Sequence, residues 1–308
     1  MRNDFAVFIL SHGRPDRVLT IKSLRKCGYT GKIYIIVDDE DDSIEKYKQL
    51  SDVEDVIVFS KDAIANECDT CDNVLKKNIV LYARNSCHTI AEKLNLTYFL
   101  ELDDDYQEFR SRMLIDSKLC TIYVRDFDSV VDTVIEFLEN SGAHTVAFAQ
   151  TGDFIGGAGS RVFKERLARK AMNSFFCKTD RPFKFYGRIN EDVNAYVLNG
   201  SRGEIYFTIA DVSLDQCTTQ AHKGGLTESY LEMGTYVKSF YTVICCPSSV
   251  KVHVMGCSHK RIHHSIDWEH AVPKIISGDF KKGGEENENH TQNRETTRNG
   301  IKGNQGLF

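Results

Sequence analysis

The chain has 308 residues, 41% of them hydrophobic, enough for a sizeable core in one large α/β domain or two small ones. No apolar run approaches the roughly eighteen residues of a membrane span. A net charge of −5 gives no general pull toward polyanions, so any contact with nucleic acid has to use a local basic patch.

The opening residues lack the cleavable pattern of a signal peptide and lead at once into a strand at 5–10. A cytoplasmic protein is the expectation, with ten cysteines read as reduced thiols, Cys120 and Cys245 in core-like surroundings. Residues 14–28 read as an amphipathic helix, with Pro15 in its first turn and Gly28 at its stop. A strand at 32–37 ends in Asp38 and Asp39; a short helix at 43–50 and a strand at 55–60 follow. Cys68 and Cys71 have zinc-like spacing but no second pair or clear histidine nearby, so a polar loop with two thiols is the preferred reading. A helix at 78–95 leads into the run 97–102, a buried strand by its β-branched, aromatic and aliphatic content, after which come Asp103, Asp104 and Asp105. This β-α rhythm predicts a mostly parallel sheet with flanking helices. Ligands of such sheets gather beyond the carboxyl ends of the strands. Ser11–Arg14, Asp38–Asp39 and Asp103–Asp105 are therefore expected on one rim.

The second half is less regular. A helix at 127–141, a strand at 144–150 and a glycine-rich stretch at 151–160 precede strands near 172–177 and 183–186. In "NEDVNAY" Asn190 is expected to cap a helix beginning with Glu191 and Asp192. A strand near 205–210, a helix at 226–244 and a strand at 250–256 complete the pattern, and the polar tail 283–308 is expected to be disordered.

Three adjacent carboxylates repel and cannot be buried unpaired. At a strand end they suit a hard divalent cation, Mg2+ or Mn2+, that holds substrate phosphates; the plainer reading is an acidic turn. His253, alternating with Val252 and Val254, or His259, could return to that metal. Glu191 and Asp192 favour the helix dipole by about 0.3–1 kcal/mol, and a carboxylate there could also remove a proton from an acceptor hydroxyl. Arg14 and Arg84 stand where phosphate contacts would help, and Lys223 before Gly224–Gly225 could hold phosphate. The cluster Arg161, Lys164, Arg166, Arg169 and Lys170 could touch DNA phosphates or be a solvated face.

The order of these motifs is similar to that of GT-A nucleotide-sugar glycosyltransferases. More closely, "SHGRP", "LELDDDY", "NEDVNAYVLNG", "HKGGLTESY" and "GTYVKSFYTVICCPSSVKV" resemble the TET-associated glycosyltransferase family, over roughly residues 5–260. The resemblance implies a Rossmann-like GT-A domain over 1–282, with a nucleotide-binding half of about 1–105 and an irregular acceptor half of 106–282. It implies a UDP-sugar donor and Mn2+ or Mg2+, and a setting in phages or beside base-oxidising enzymes, hence the cytoplasm of a host cell if phage-encoded. The acceptor it implies is a hydroxymethylated pyrimidine in DNA, 5-hydroxymethylcytosine first, with no membrane partner. Asp103 and Asp105 would be the DxD acids, Asp105 the direct metal ligand, and His253 a further one. Asp38 would read the nucleotide and Arg84 sit near the diphosphate, with Ser11, Arg14, Asp104 and Lys223 the other donor-site candidates. Asp192 or Glu191 would be the base. Attack from the face opposite UDP would invert the anomeric centre. The rivals are the same chemistry on a protein or glycan hydroxyl, a nucleotidyltransferase releasing pyrophosphate, and a binding module without catalysis.

Overall fold

Parallel pairing of the apolar runs sets the frame of the computed structural model, which describes residues 1–74, 77–216, 237–255 and 260–273. Strands β1 (Phe5–Leu10), β2 (Lys32–Asp38), β3 (Asp55–Phe59) and β4 (Tyr98–Asp103) lie side by side in the order β3-β2-β1-β4, all parallel. The ten-stranded sheet continues through β9 (Ser174–Lys178), β7 (Thr145–Gln150), β10 (Tyr206–Gln216), β5 (Tyr106–Ile115) and β6 (Lys118–Tyr123), and β8 (Leu167–Ala168) pairs with β10. Most strands share one direction; β5, β8 and β9 run against it. This is the α/β class the sequence predicts.

Apolar side chains fill both faces of the sheet. One layer lies under α1 (Leu19–Lys26) and α5 (Phe127–Ser141), the other under α4 (Leu81–Lys93) and α7 (Glu191–Ser201). The period-two alternation of β4 sends Leu100 and Leu102 into the first layer and Phe99 into the second, with Glu101 on the same side as Phe99. Register decides where the polar loops emerge. Leu10 pairs with both Ile36 and Asp103, so β1, β2 and β4 end nearly level and deliver their loops to one rim.

Several local expectations differ. Residues 14–28 begin with a 3-10 turn, Pro15–Arg17, before α1 starts at Leu19. The expected strand at 183–186 does not form, because asparagine side chains take the backbone groups that a neighbouring strand would have used. Asn85 bonds both the N–H (3.0 Å) and the carbonyl (3.1 Å) of Phe185, Asn199 donates to the Lys184 carbonyl (2.9 Å), and Asn194 to that of Tyr186 (2.8 Å). Asn190 stands at the start of α7 with φ 59° and makes no capping bond. Its amide donates instead to the Lys238 carbonyl (2.7 Å) and Thr242 Oγ1 (3.0 Å), tying α7 to α8 (Val237–Cys245). A hairpin of β11 (Val250–Met255) and β12 (Arg261–Ile266) packs on α8; only its first strand was anticipated.

The reduced-thiol expectation is corrected at one pair. Cys71 and Cys245, with Cα atoms 6.1 Å apart, form a disulfide, so Cys245 is not a core thiol. Cys120 is half-buried on β6 rather than in the core. Among the described residues no helix is long and apolar enough to cross a membrane. Met1–Val272 forms one compact unit, and Pro273–Phe308 a second of which only Pro273 is described. Lys223, His259, the part of the expected helix at 226–236 and the tail 283–308 lie outside the described residues.

Candidate active site

The strand ends open on a cleft of about 1270 Å3. The first loop is fixed by a short network. Ser11 Oγ donates to Asp104 Oδ2 (2.5 Å) and shares a hydrogen bond with the Tyr47 hydroxyl (2.8 Å). The Arg14 N–H donates to that same hydroxyl (2.9 Å), and the Arg14 guanidinium reaches Asp104 Oδ1 (2.8 Å). Asp104 therefore turns inward and joins the ends of β1 and β4. Burial pushes its carboxyl up to about 6 against the pull of Arg14 and Ser11.

The acidic run after β2 divides its work. Asp39 accepts from the Lys61 N–H (2.9 Å) at the start of α3 (Lys61–Ala65), and Asp41 from the Gly13 N–H (2.7 Å). Asp38 faces the cleft between Lys61 and His12. Lys61 Nζ lies 2.7 Å from Asp38 Oδ1, and His12 Nδ1 is 2.8 Å from Oδ2. Burial opposes ionisation, but hydrogen bonds from His12 and Lys61 prevail and hold Asp38 down at about 2. The hydrogen bond to Asp38 in turn raises His12.

Arg84 is the hub of the second group. It is 3% exposed, and its nitrogens meet three carboxylates: Nε to Glu191 (2.9 Å), Nη1 to Glu101 (2.7 Å) and Nη2 to Asp103 (3.0 Å). The guanidinium also lies 5.0 Å from the Phe175 ring centre. So Arg84 binds α4, β4 and α7 together, with its donors spent on the protein itself. Asp103 is further held by the Tyr106 hydroxyl (3.1 Å).

Two acids lining the cleft have no lysine or arginine ion pair among the described residues. Burial, followed by the charges of Asp103 and Asp104, pushes Asp105 up to about 7. Burial and the charge of Glu191 push Asp192 up to about 7 as well, although its Oδ1 accepts from the Val193 N–H (2.7 Å). Of the two adjacent acids at the helix start, Glu191 is occupied by Arg84, whereas Asp192 has no such ion pair among the described residues.

His253 is exposed on the β11–β12 hairpin and is not brought to the cleft. The cleft is lined instead by His263 and His264 of β12. Burial, with His263, Lys238 and His253 adding positive field, lowers His264 to about 4, so its ring is neutral. Its buried Nδ1 has no hydrogen-bond partner among the described residues. A neutral imidazole with an idle nitrogen has the chemistry of a metal ligand. Among the described residues no three His, Cys, Asp or Glu side chains converge as a preformed metal cluster. One or two carboxylates completed by substrate phosphate oxygens is, however, the usual donor set for a hard cation, and Asp105, with no ion pair among the described residues, fits it.

Lys61, Glu101 and His264 did not stand out as site residues in the sequence, and His12 was expected on the rim without a role of its own. Lys61 lies just beyond the carboxyl end of β3, the position where a rim residue is to be sought. Glu101 is a charge inside an apolar strand, which by itself demands a buried cation.

Parallel strand ends that open on one large cleft lined by carboxylates and cationic side chains are where an α/β enzyme binds its ligands. The profile of the family described as TET-Associated Glycosyltransferase matches residues 5–225, and the chain belongs to that family of glycosyltransferases. A solved structure similar to it is that of GalNAc-T7 with UDP, GalNAc and Mn2+, at 11% identity and a TM-score of 0.40. That match covers 69% of this chain and 43% of the other, a distant likeness of fold alone. No curated protein matches the sequence.

Proposed function

We propose that the protein moves a sugar from a UDP-sugar to the hydroxymethyl oxygen of a modified pyrimidine in DNA, 5-hydroxymethylcytosine first, with Mn2+ or Mg2+ at the donor diphosphate. The observation that carries this reading is the division of labour among the cleft acids. Asp38 is locked ionised and accepts hydrogen bonds only, which suits the N–H or hydroxyl groups of a nucleoside. Asp105 and His264 are the residues that would hold a divalent cation, and a cation there neutralises the leaving diphosphate. Asp192 would take the proton of the acceptor hydroxyl as its oxygen bonds the anomeric carbon and the bond to UDP breaks. Arg84 holds Glu191 and Asp103 in place on either side, so it acts as a positioning residue.

A polyanionic acceptor is supported by the cleft's basic wall. Of the predicted basic cluster, Arg161, Arg169 and Lys170 line the cleft, Arg161 with 72% of its side chain exposed. Arg161 lies 3.8 Å from Glu165 and Lys170 pairs with Asp153, and Arg166, outside the cleft lining, faces Asp211 at 3.1 Å. Electrostatic binding of this kind weakens with added salt.

The test is mass spectrometry of nucleosides from 5-hydroxymethylcytosine DNA after incubation with a panel of UDP-sugars and Mn2+, beside Asp105→Ala. A metal-dependent hexose, pentose or N-acetylhexosamine mass gain on the base, lost in the variant, is the expected result. UDP release without a gain on DNA would overturn the acceptor and point to a protein or glycan hydroxyl. Release of pyrophosphate from UTP and a sugar 1-phosphate, offered in place of the UDP-sugar, would make the protein a nucleotidyltransferase.

A further inference from the structure

The acceptor side of the cleft carries one feature that sugar-nucleotide chemistry does not require. Trp268, the single tryptophan of the chain, lines the cleft and lies flat against Tyr196, with ring centres 6.1 Å apart and planes 16° from parallel. Tyr196 is one helical turn beyond Asp192 on α7, hence on the same helix face. The Arg169 guanidinium lies 5.9 Å from the centre of the indole, and Met172 and Ile266 line the cleft beside it. Two stacked aromatics, a guanidinium and two apolar side chains make a planar, weakly polar ledge in the cleft wall. Arg161, with most of its side chain exposed, lines the same cleft.

We propose that this ledge receives an unstacked nucleobase, so that Trp268 and Arg169 determine acceptor specificity by stacking on the base while Asp192 meets its hydroxymethyl group. The inference rests on the DNA-directed reading above and refines it. A base inside a duplex is stacked on both faces and cannot reach a pocket, so an enzyme acting on it must take it out of the stack or use a single strand. An aromatic platform joined to a basic groove is the general solution for holding such a base. A serine or threonine hydroxyl has no planar group and no use for the ledge.

Because Trp268 is the only tryptophan, the protein's own indole emission reports on the ledge alone. The wild-type protein is titrated with a single-stranded oligonucleotide carrying one 5-hydroxymethylcytosine, with the same strand abasic at that position, and with UDP plus Mn2+. Saturable quenching by the first and little by the other two is expected. Equal quenching by the abasic strand, or quenching by UDP, overturns the assignment. Stacking on one aromatic ring is worth a roughly 5- to 100-fold change in affinity. Trp268→Ala should therefore raise KM for the oligonucleotide by about that factor, whereas Trp268→Phe, which keeps a ring, should stay within about threefold. Sugar transfer to DNA without quenching overturns the ledge and leaves the reaction standing. Quenching without transfer to DNA keeps the ledge as a base site and overturns the reaction.

Discussion

Replacing Arg84 with methionine keeps an apolar stem beside Phe175 and removes the guanidinium that Glu101, Asp103 and Glu191 share at 2.7, 3.0 and 2.9 Å. Arg84 is 3% exposed and Glu101 1%, so water cannot take over the lost interactions. Deleting one partner of a buried ion pair costs about 3–5 kcal/mol, chiefly through the charge left behind. The cost should depend on pH. Burial already lifts Glu101 to about 7 despite Arg84, and without the arginine it is lifted further. The folded variant then holds a proton that the unfolded chain has released, and that difference costs about 1.4 kcal/mol per pH unit until the folded group ionises. Arg84→Met should therefore be destabilised more near pH 8.5 than near pH 5.5, by the order of 1–3 kcal/mol. Equilibrium urea unfolding at the two pH values measures this directly. A loss below about 1 kcal/mol at both, or one that grows on acidification, would refute the claim that Arg84 holds ionised carboxylates together.

Without added cations, the wild-type protein should lose stability as pH rises from about 4.5 to 7.5 and level off above that. Glu101, Asp105 and Asp192 all sit near 7 when folded, above their unfolded values, so ionising them disfavours the fold. His88 and His264, lowered to about 4 by burial, offset only part of this slope below the unfolded histidine value of 6.5, and Asp104, raised to about 6, adds to it, so the net fall spans the whole window; flat urea midpoints across it would contradict the assignment. Asp192→Asn should lower kcat by roughly 10²–10⁴ with the KM for donor little changed, and a variant that keeps most of its rate would remove Asp192 as the base. Lys61→Met, which leaves Asp38 with His12 alone, should weaken UDP binding about 10- to 100-fold by calorimetry; unchanged binding would separate Asp38 from the nucleotide.

The parallel half of the sheet was legible because its strands are continuous apolar runs separated by amphipathic helices, as at 5–10, 32–37 and 97–102. Helix α5 matched its expected bounds, since Asp126 caps it and Gly142 ends it with φ 66°. Local pattern failed where partners come from far along the chain. Phe183 and Phe185 look like strand residues, yet the amides that hold this stretch belong to Asn85, Asn194 and Asn199. The acidic motifs reached the cleft, but their individual roles depend on which cation each one meets. In "DDD", Asp103 meets Arg84, Asp104 meets Arg14, and Asp105 meets neither in an ion pair among the described residues. Strand β12 was missed among polar and histidine residues, so nothing in the sequence signalled that its histidines, rather than His253 on β11, line the cleft.

The Cys71–Cys245 bond joins residues 174 positions apart, beside a cluster in which Asp72 accepts from Arg188 Nε (2.7 Å) and the Tyr241 hydroxyl (2.8 Å). Three stretches of chain therefore meet at one seam: the loop after α3, the segment leading into α7, and α8. Reducing agent in a purification buffer cuts the covalent stitch of that seam and leaves the polar cluster to hold it. Preparations made with and without thiols are for this reason chemically different proteins, and their activities should be compared only after the two thiols have been counted.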